Sequence, residues 1–79
     1  HKEALNMADM GIDFCIKYGN LTAFPVLVSN KGVALAEWNQ KEEAKKYLHQ
    51  AIIIFESMKK MEQVEAIINW CRFHYQIEF

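Results

Sequence analysis

The chain predicts an all-α fold, four helices packed as antiparallel hairpins, and three observations predict it. Apolar residues recur at spacings of three and four along most of its length, as on one-sided helices. Short breaks at Gly19-Asn20, Trp38-Asn39 and Lys59-Lys60 divide that pattern into helix-sized pieces. Small residues, Gly32, Ala44 and Ala51, interrupt otherwise bulky apolar faces, which lets helix axes approach closely within the usual ~8–10 Å. The stretch Gly32–Phe55 organises the rest, because it holds two such helical patterns back to back. Ala66, about 34 residues beyond Gly32, is again small and lies at the corresponding place in the next helix, a period found in stacked helix–turn–helix units.

The first helix is expected over Lys2–Tyr18. Ala4, Leu5, Ala8, Gly11, Ile12, Cys15 and Ile16 share one face, while Asp9, Asp13 and Lys17 lie opposite. Gly11 in mid-helix costs about 1 kcal/mol against Ala, so it implies a packing role. Gly19 ends this helix as the residue past its C-terminus. Thr22 reads as the cap of a second helix over Ala23–Trp38, with Pro25 in its first turn, where a missing N–H does no harm. Asn39 reads as the cap of a third helix over Gln40–Met58, with Glu42 placed to reach back to it. Ala44, Leu48, Ala51, Ile52 and Phe55 form the inner stripe of that helix. Lys59 and Lys60 follow it and suit its negative end. The fourth helix is expected over Glu62–Ile77, apolar around much of its girth through Val64, Ile67, Ile68, Cys71 and Tyr75, with Trp70 at the margin. A helix of that kind has neighbours on more than one side.

Composition narrows the function. At 79 residues the chain forms one small domain, and 52% of it is apolar, rich for that size. The surplus implies that a flank is covered by a neighbour. A net charge of −1 gives no basis for direct contact with nucleic acid or an anionic membrane. No apolar run approaches the ~20 residues of a membrane span. Two cysteines, Cys15 and Cys71, read as free thiols of a cytoplasmic protein. The chain opens on His1, which reads as the start of a piece excised from a longer protein.

Catalytic chemistry finds no motif. Cys71 and His74 stand at i, i+3, half of a metal site, but zinc needs three or four ligands and no further candidate has motif spacing. Both cysteines sit on apolar faces, where a thiol behaves as a small hydrophobe. The three glycines, Gly11, Gly19 and Gly32, lie too far apart to cradle a phosphate. The expectation is therefore no enzyme, no metal and no cofactor. Most of the aromatics read as core, and the mixed charges Lys41, Glu42, Glu43, Lys45 and Lys46 as a solvated face.

Asn30–Glu56, NKGVALAEWNQKEEAKKYLHQAIIIFE, resembles a tetratricopeptide repeat, with Gly32, Ala44, Leu48 and Ala51 at its small and apolar signature positions. It departs at Glu56, where the repeat usually places a proline, and at Leu35, where an aromatic is common. The segments MADMGIDFCIKYGN, NKGVALAEW and AIIIFESMKKMEQ are similar to the C-terminal repeat domains of peptide-sensing helix-turn-helix transcription regulators of Gram-positive bacteria. The resemblance implies part of a right-handed superhelix: an orphan helix, one full repeat and either the first helix of the next or a cap. Gly11, Gly32, Ala44, Leu48, Ala51 and Ala66 would be its packing positions. It also implies a concave face lined by the second and fourth helices, where Asn30, Lys31 and Asn69 would hold an extended peptide. An Asn amide both donates and accepts, and Lys31 would meet a carboxylate. The function implied is protein or peptide interaction, as the sensing and oligomerisation module of such a regulator. A generic repeat scaffold or adaptor, and the regulatory domain of a signalling enzyme such as a phosphatase, are the alternatives.

The two ends bear on self-association. An excised repeat exposes surfaces that neighbouring repeats would bury. One side of Leu5, Ile12 and Ile16 lacks a covering helix. The last helix shows Ile67, Trp70, Phe73, Ile77 and Phe79. A homodimer formed mainly by the fourth helix, with help from the first, is the expectation.

Overall fold

A computed structural model describes residues 2–79, and His1, whose position suggested an excised piece, lies outside the described residues. The chain is all-α: α1 (Lys2–Tyr18), α2 (Phe24–Glu37), α3 (Lys41–Ser57) and α4 (Met61–Tyr75), joined as helical hairpins. α2 is the central element, packed against α1 on one side and α3 on the other, while α4 packs on α3 and touches α2 more lightly. The helices spread into a slab with extents of 34 × 31 × 14 Å.

Each helix ends where the backbone turns left-handed, at Gly19 (φ 68°), Asn39 (φ 62°), Lys59 (φ 60°) and Gln76 (φ 58°). After α1, α2 and α3 the next N–H returns to a carbonyl in the last turn: Asn20 to Cys15 at 2.9 Å, Gln40 to Leu35 at 2.8 Å and Lys60 to Phe55 at 2.9 Å. Carbonyls left over at the helix end are satisfied in this way. Asn39 is thereby assigned a different role from the one its sequence suggested. It closes α2 rather than capping α3, whose cap position is Gln40 with no side-chain hydrogen bond. The physical reason is that Asn tolerates positive φ better than most residues, so the stop of one helix took priority over the start of the next. Thr22 likewise does not cap α2. The cap position is Ala23, with no side-chain cap hydrogen bond, and Asn20 Oδ1 accepts from the Ala23 N–H at 3.2 Å in the turn that leads into the helix. Pro25 lies in the first turn of α2, as expected, and is buried.

The core has two adjoining clusters. Leu35, Ala36, Ala44, Leu48, Cys71 and Ile77 form one. Val28, Ala51, Ile52, Phe55 and Val64 form the other. Gly32 lies where α2 crosses α3: a Cβ built on it would sit 2.5 Å from Leu48 Cγ. Gly11 plays a looser version of that part between α1 and α2, its added Cβ meeting the Leu27 methyls at 3.0 Å. Ala44, Leu48 and Ala51 are fully buried. Ala66 departs from the set. It is exposed on α4, because the described residues place no further helix beyond that one.

α4 also ends two residues before its expected boundary, at Tyr75. Gln76 turns left-handed, its N–H bonded to the Arg72 carbonyl at 3.1 Å, and the Ile77 N–H reaches the Cys71 carbonyl at 3.2 Å. The turn folds Ile77 back over the bundle, where it is only 5% exposed and packs in the first cluster.

Candidate functional site

The residues read as a peptide ladder divide into two kinds. Asn30 on α2 and Asn69 on α4 are exposed. Neither side chain takes part in a hydrogen bond among the described residues. Asn30 lies in line with Val26 and Glu37, at helical spacings of four and seven, so the three mark an outer edge of α2. Lys31 is different. Its Nζ lies 2.6 Å from Asp9 Oδ1 of α1 and 4.4 Å from the centre of the Tyr47 ring of α3, with only 19% of the side chain exposed. One ammonium thus joins three helices through an ion pair and a cation–π contact. The hydrogen bond to Asp9 pushes its pKa above the usual lysine value, against the opposing effect of burial. The cation expected to meet a ligand carboxylate already meets one of the chain's own, so it serves as a cross-link rather than a free binding group.

α2 and α4 are tied at one end by Tyr75, whose hydroxyl donates to Glu37 Oε1 at 3.1 Å. Desolvation, then the bond to Glu37, pushes the phenol up to about 12. This bond fixes Glu37 at the end of the edge that carries Asn30 and holds α4 alongside it. In the sequence Tyr75 counts only toward the apolar surface of the fourth helix. Only its meeting with Glu37, 38 positions away, shows the link.

The five residues expected at an interface also separate. Phe73 is 82% exposed, and Trp70 and Phe79 are partly exposed. Trp70 packs its indole against His74, with ring centres 4.8 Å apart, and meets Tyr75 edge-on at 5.2 Å. Ile67 is half-buried and packs against both core clusters. Ile77 is corrected outright, since the turn at Gln76 places it in the core. The broader apolar surface lies elsewhere. On α1, Met7, Met10, Phe14 and Tyr18 are 72%, 71%, 57% and 63% exposed. They fall at i, i+3, i+7 and i+11, within about 80° of the helix circumference. Leu5 and Ile12, expected to lack cover on one side, are half-buried against the two clusters, whereas Ile16 is exposed. The sequence carried this outer stripe at the same spacings as the inner one. The inner stripe alone accounts for the helical period, so the outer one adds no separate signal.

An open apolar cleft of about 360 Å³ lies at the α1–α2 connection, lined by Leu21, Thr22, Phe24, Ile54, Ser57 and Met58. Cys15 and Cys71 are buried free thiols, and burial raises the Cys71 pKa, which disfavours its reactive thiolate. Among the described residues no three His, Cys, Asp or Glu side chains gather as a metal site. No helix among them is long and apolar enough to cross a membrane. No protein-family model, curated protein or solved structure matches the chain.

Proposed function

We propose that the chain is a protein- or peptide-interaction module of tetratricopeptide type, which serves as the C-terminal sensing and oligomerisation domain of a bacterial transcription regulator. The carrying observation is a pair of exposed amides, Asn30 on α2 and Asn69 on α4, that make no hydrogen bond among the described residues and so are free for a partner, on two helices linked at one end by the Tyr75–Glu37 hydrogen bond. An extended peptide has backbone donors and acceptors that amide side chains match in both senses. A rigid edge holds down the entropic cost of binding it. The apolar surface left open on α1 and α4 supports the self-association part of the reading. Any contact with DNA would belong to another part of such a regulator, since neither the net charge nor a helix-turn-helix equips this piece for it.

The test is selection of a random linear peptide library on the immobilised chain, followed by fluorescence-anisotropy titration of the recovered peptides. Asn30→Ala and Asn69→Ala should each weaken binding about fivefold to tenfold, as loss of one or two neutral hydrogen bonds does. Enrichment of peptides that bind both variants as tightly as the parent would refute the edge. Failure to enrich any sequence would refute the peptide-sensing role.

A further inference from the structure

The outer stripe of α1 is left unused by the proposed peptide edge, and its shape and charge indicate what covers it. We infer that a second copy of this chain packs on α1, the two helices running antiparallel about a two-fold axis beside Met10. The inference rests on the reading of the chain as a self-associating module, but moves the main seam from α4 to α1.

Area is the first argument. The chain exposes 5514 Å², against about 5,000 Å² for a folded monomer of this mass. The four stripe residues are exposed by about two-thirds on average. At roughly 200 Å² per large side chain they offer roughly 500 Å² per copy. Two copies then bury roughly 1,000 Å² before any flanking residue is counted, the lower bound for a specific interface. The α4 alternative has lost Ile77 to the core, and Asn69, Arg72 and His74 are exposed among its remaining aromatics.

Charge sets the direction. Glu3 lies in the first turn of α1 and Lys17 in the last. Both are exposed and stand beside the stripe at equal distances in sequence from Met10. Antiparallel pairing brings Glu3 of each copy against Lys17 of the other and opposes the two helix dipoles favourably. Parallel pairing would set Glu3 against Glu3 and Lys17 against Lys17. The antiparallel register also places Phe14 of one copy beside Met7 of the other, with the flexible Met10 side chains meeting on the axis. Such a contact is isologous and closes at two copies.

The experiment combines sedimentation with directed cross-linking, using the 79-residue chain. The parent should sediment as a dimer at tens of micromolar. Met10→Cys under mild oxidation should give a covalent dimer in high yield. Cys15 and Cys71 do not interfere because they are buried. Glu3→Cys alone should stay monomeric on a non-reducing gel, yet cross-link when mixed with Lys17→Cys. Met10→Glu, at an exposed site, should weaken association at least tenfold with unchanged helical circular dichroism, and Phe73→Glu should leave association intact. A dimer abolished by Phe73→Glu, with no Met10→Cys cross-link, would overturn the α1 seam and leave the self-association reading standing. A monomeric parent would overturn both. Cross-linking by Glu3→Cys alone would overturn the antiparallel register.

Discussion

Replacing Gly32 by alanine tests the central crossing of the fold with a single added methyl. On an unconstrained helix this change is favourable by about 1 kcal/mol, because alanine loses less backbone freedom than glycine. Here the new Cβ would lie 2.5 Å from Leu48 Cγ, 2.8 Å from Leu48 Cδ2 and 3.2 Å from the Leu48 backbone nitrogen. Leu48 is fully buried, and the nearest atom is the branch point of its side chain, not a free tip. A rotamer change therefore has nowhere to go, and α2 and α3 must separate. Overpacking of that kind costs ~1–3 kcal/mol, which cancels or exceeds the propensity gain and leaves a net loss of up to ~2 kcal/mol. Gly32→Leu adds three further carbons at the same point and should cost more. Gly11→Ala is the control. Its Cβ would crowd the Leu27 methyl ends at 3.0 Å and meet Leu27 Cγ in ordinary contact at 3.5 Å, on a half-buried side chain that can shift. The propensity gain should then survive, with stability unchanged or raised by up to ~1 kcal/mol. In thermal melts followed by circular dichroism, a domain of this size moves by roughly 4–8 °C per kcal/mol. Gly32→Ala should melt several degrees below the parent and Gly11→Ala at or above it. A Gly32→Ala variant melting with or above Gly11→Ala would refute the close approach of α2 and α3.

Other outcomes follow from the same geometry. Lys59→Gly and Gln76→Gly relieve left-handed backbone at non-glycine residues and should each stabilise by ~0.5–1 kcal/mol in urea titrations; equal or lower midpoints would show the turns to be unstrained. Ile77→Glu should cost ~3 kcal/mol or more by placing a carboxylate in the first core cluster, while Phe73→Glu should stay within ~0.5 kcal/mol. Equal midpoints for these two variants would deny the fold-back of the C-terminal residues. The Tyr75 phenol is raised from 10 to about 12 in the folded chain. A raised pKa means that the fold holds the proton more tightly than the unfolded chain, so the contribution is complete below about pH 10 and is lost as pH rises toward about 12. Lys31, also raised, acts in the same direction. Tyr75→Phe should flatten part of that alkaline loss, and tyrosinate absorbance should show one fewer late-titrating tyrosine; an unchanged profile would remove the Glu37 bond.

The fold was legible because its determinants are local and periodic. Ala44, Leu48, Ala51, Ile52 and Phe55 stand on one face by spacing alone, and all are buried against α2 or α4. Helix ends were legible only in part. Gly19 announces a left-handed turn, since glycine favours one intrinsically, but Lys59 and Gln76 adopt it under tertiary constraint and carry no such signal. Asn39 carried two meanings, stop and start, and sequence alone ranked them in the wrong order. Ile77 shows the same limit. Its helical spacing matched the outer face of α4, but the turn at Gln76 redirects it into a cluster with Leu35 and Ala36 of a different helix.

The candidate surfaces were less legible because they depend on what the fold leaves uncovered. Lys31 shows why. Beside Asn30 in the sequence, it reads as a partner-seeking cation. Next to Asp9 and Tyr47 in space, it is held by two other helices. Adjacent residues on a helix point about 100° apart, so neighbours in sequence face different surroundings. That rotation turns Lys31 into the interhelical space and leaves Asn30 facing outward. The same arithmetic separates the buried Ala8 of α1 from its exposed neighbour Met7. On an amphipathic helix with two apolar stripes, composition cannot say which stripe meets the core. Packing decides it: Gly11 offers α2 a close approach on one side, and Met7, Met10 and Phe14 are left to the other. The face of α1 that meets α2 therefore also determines which face remains open to a second molecule.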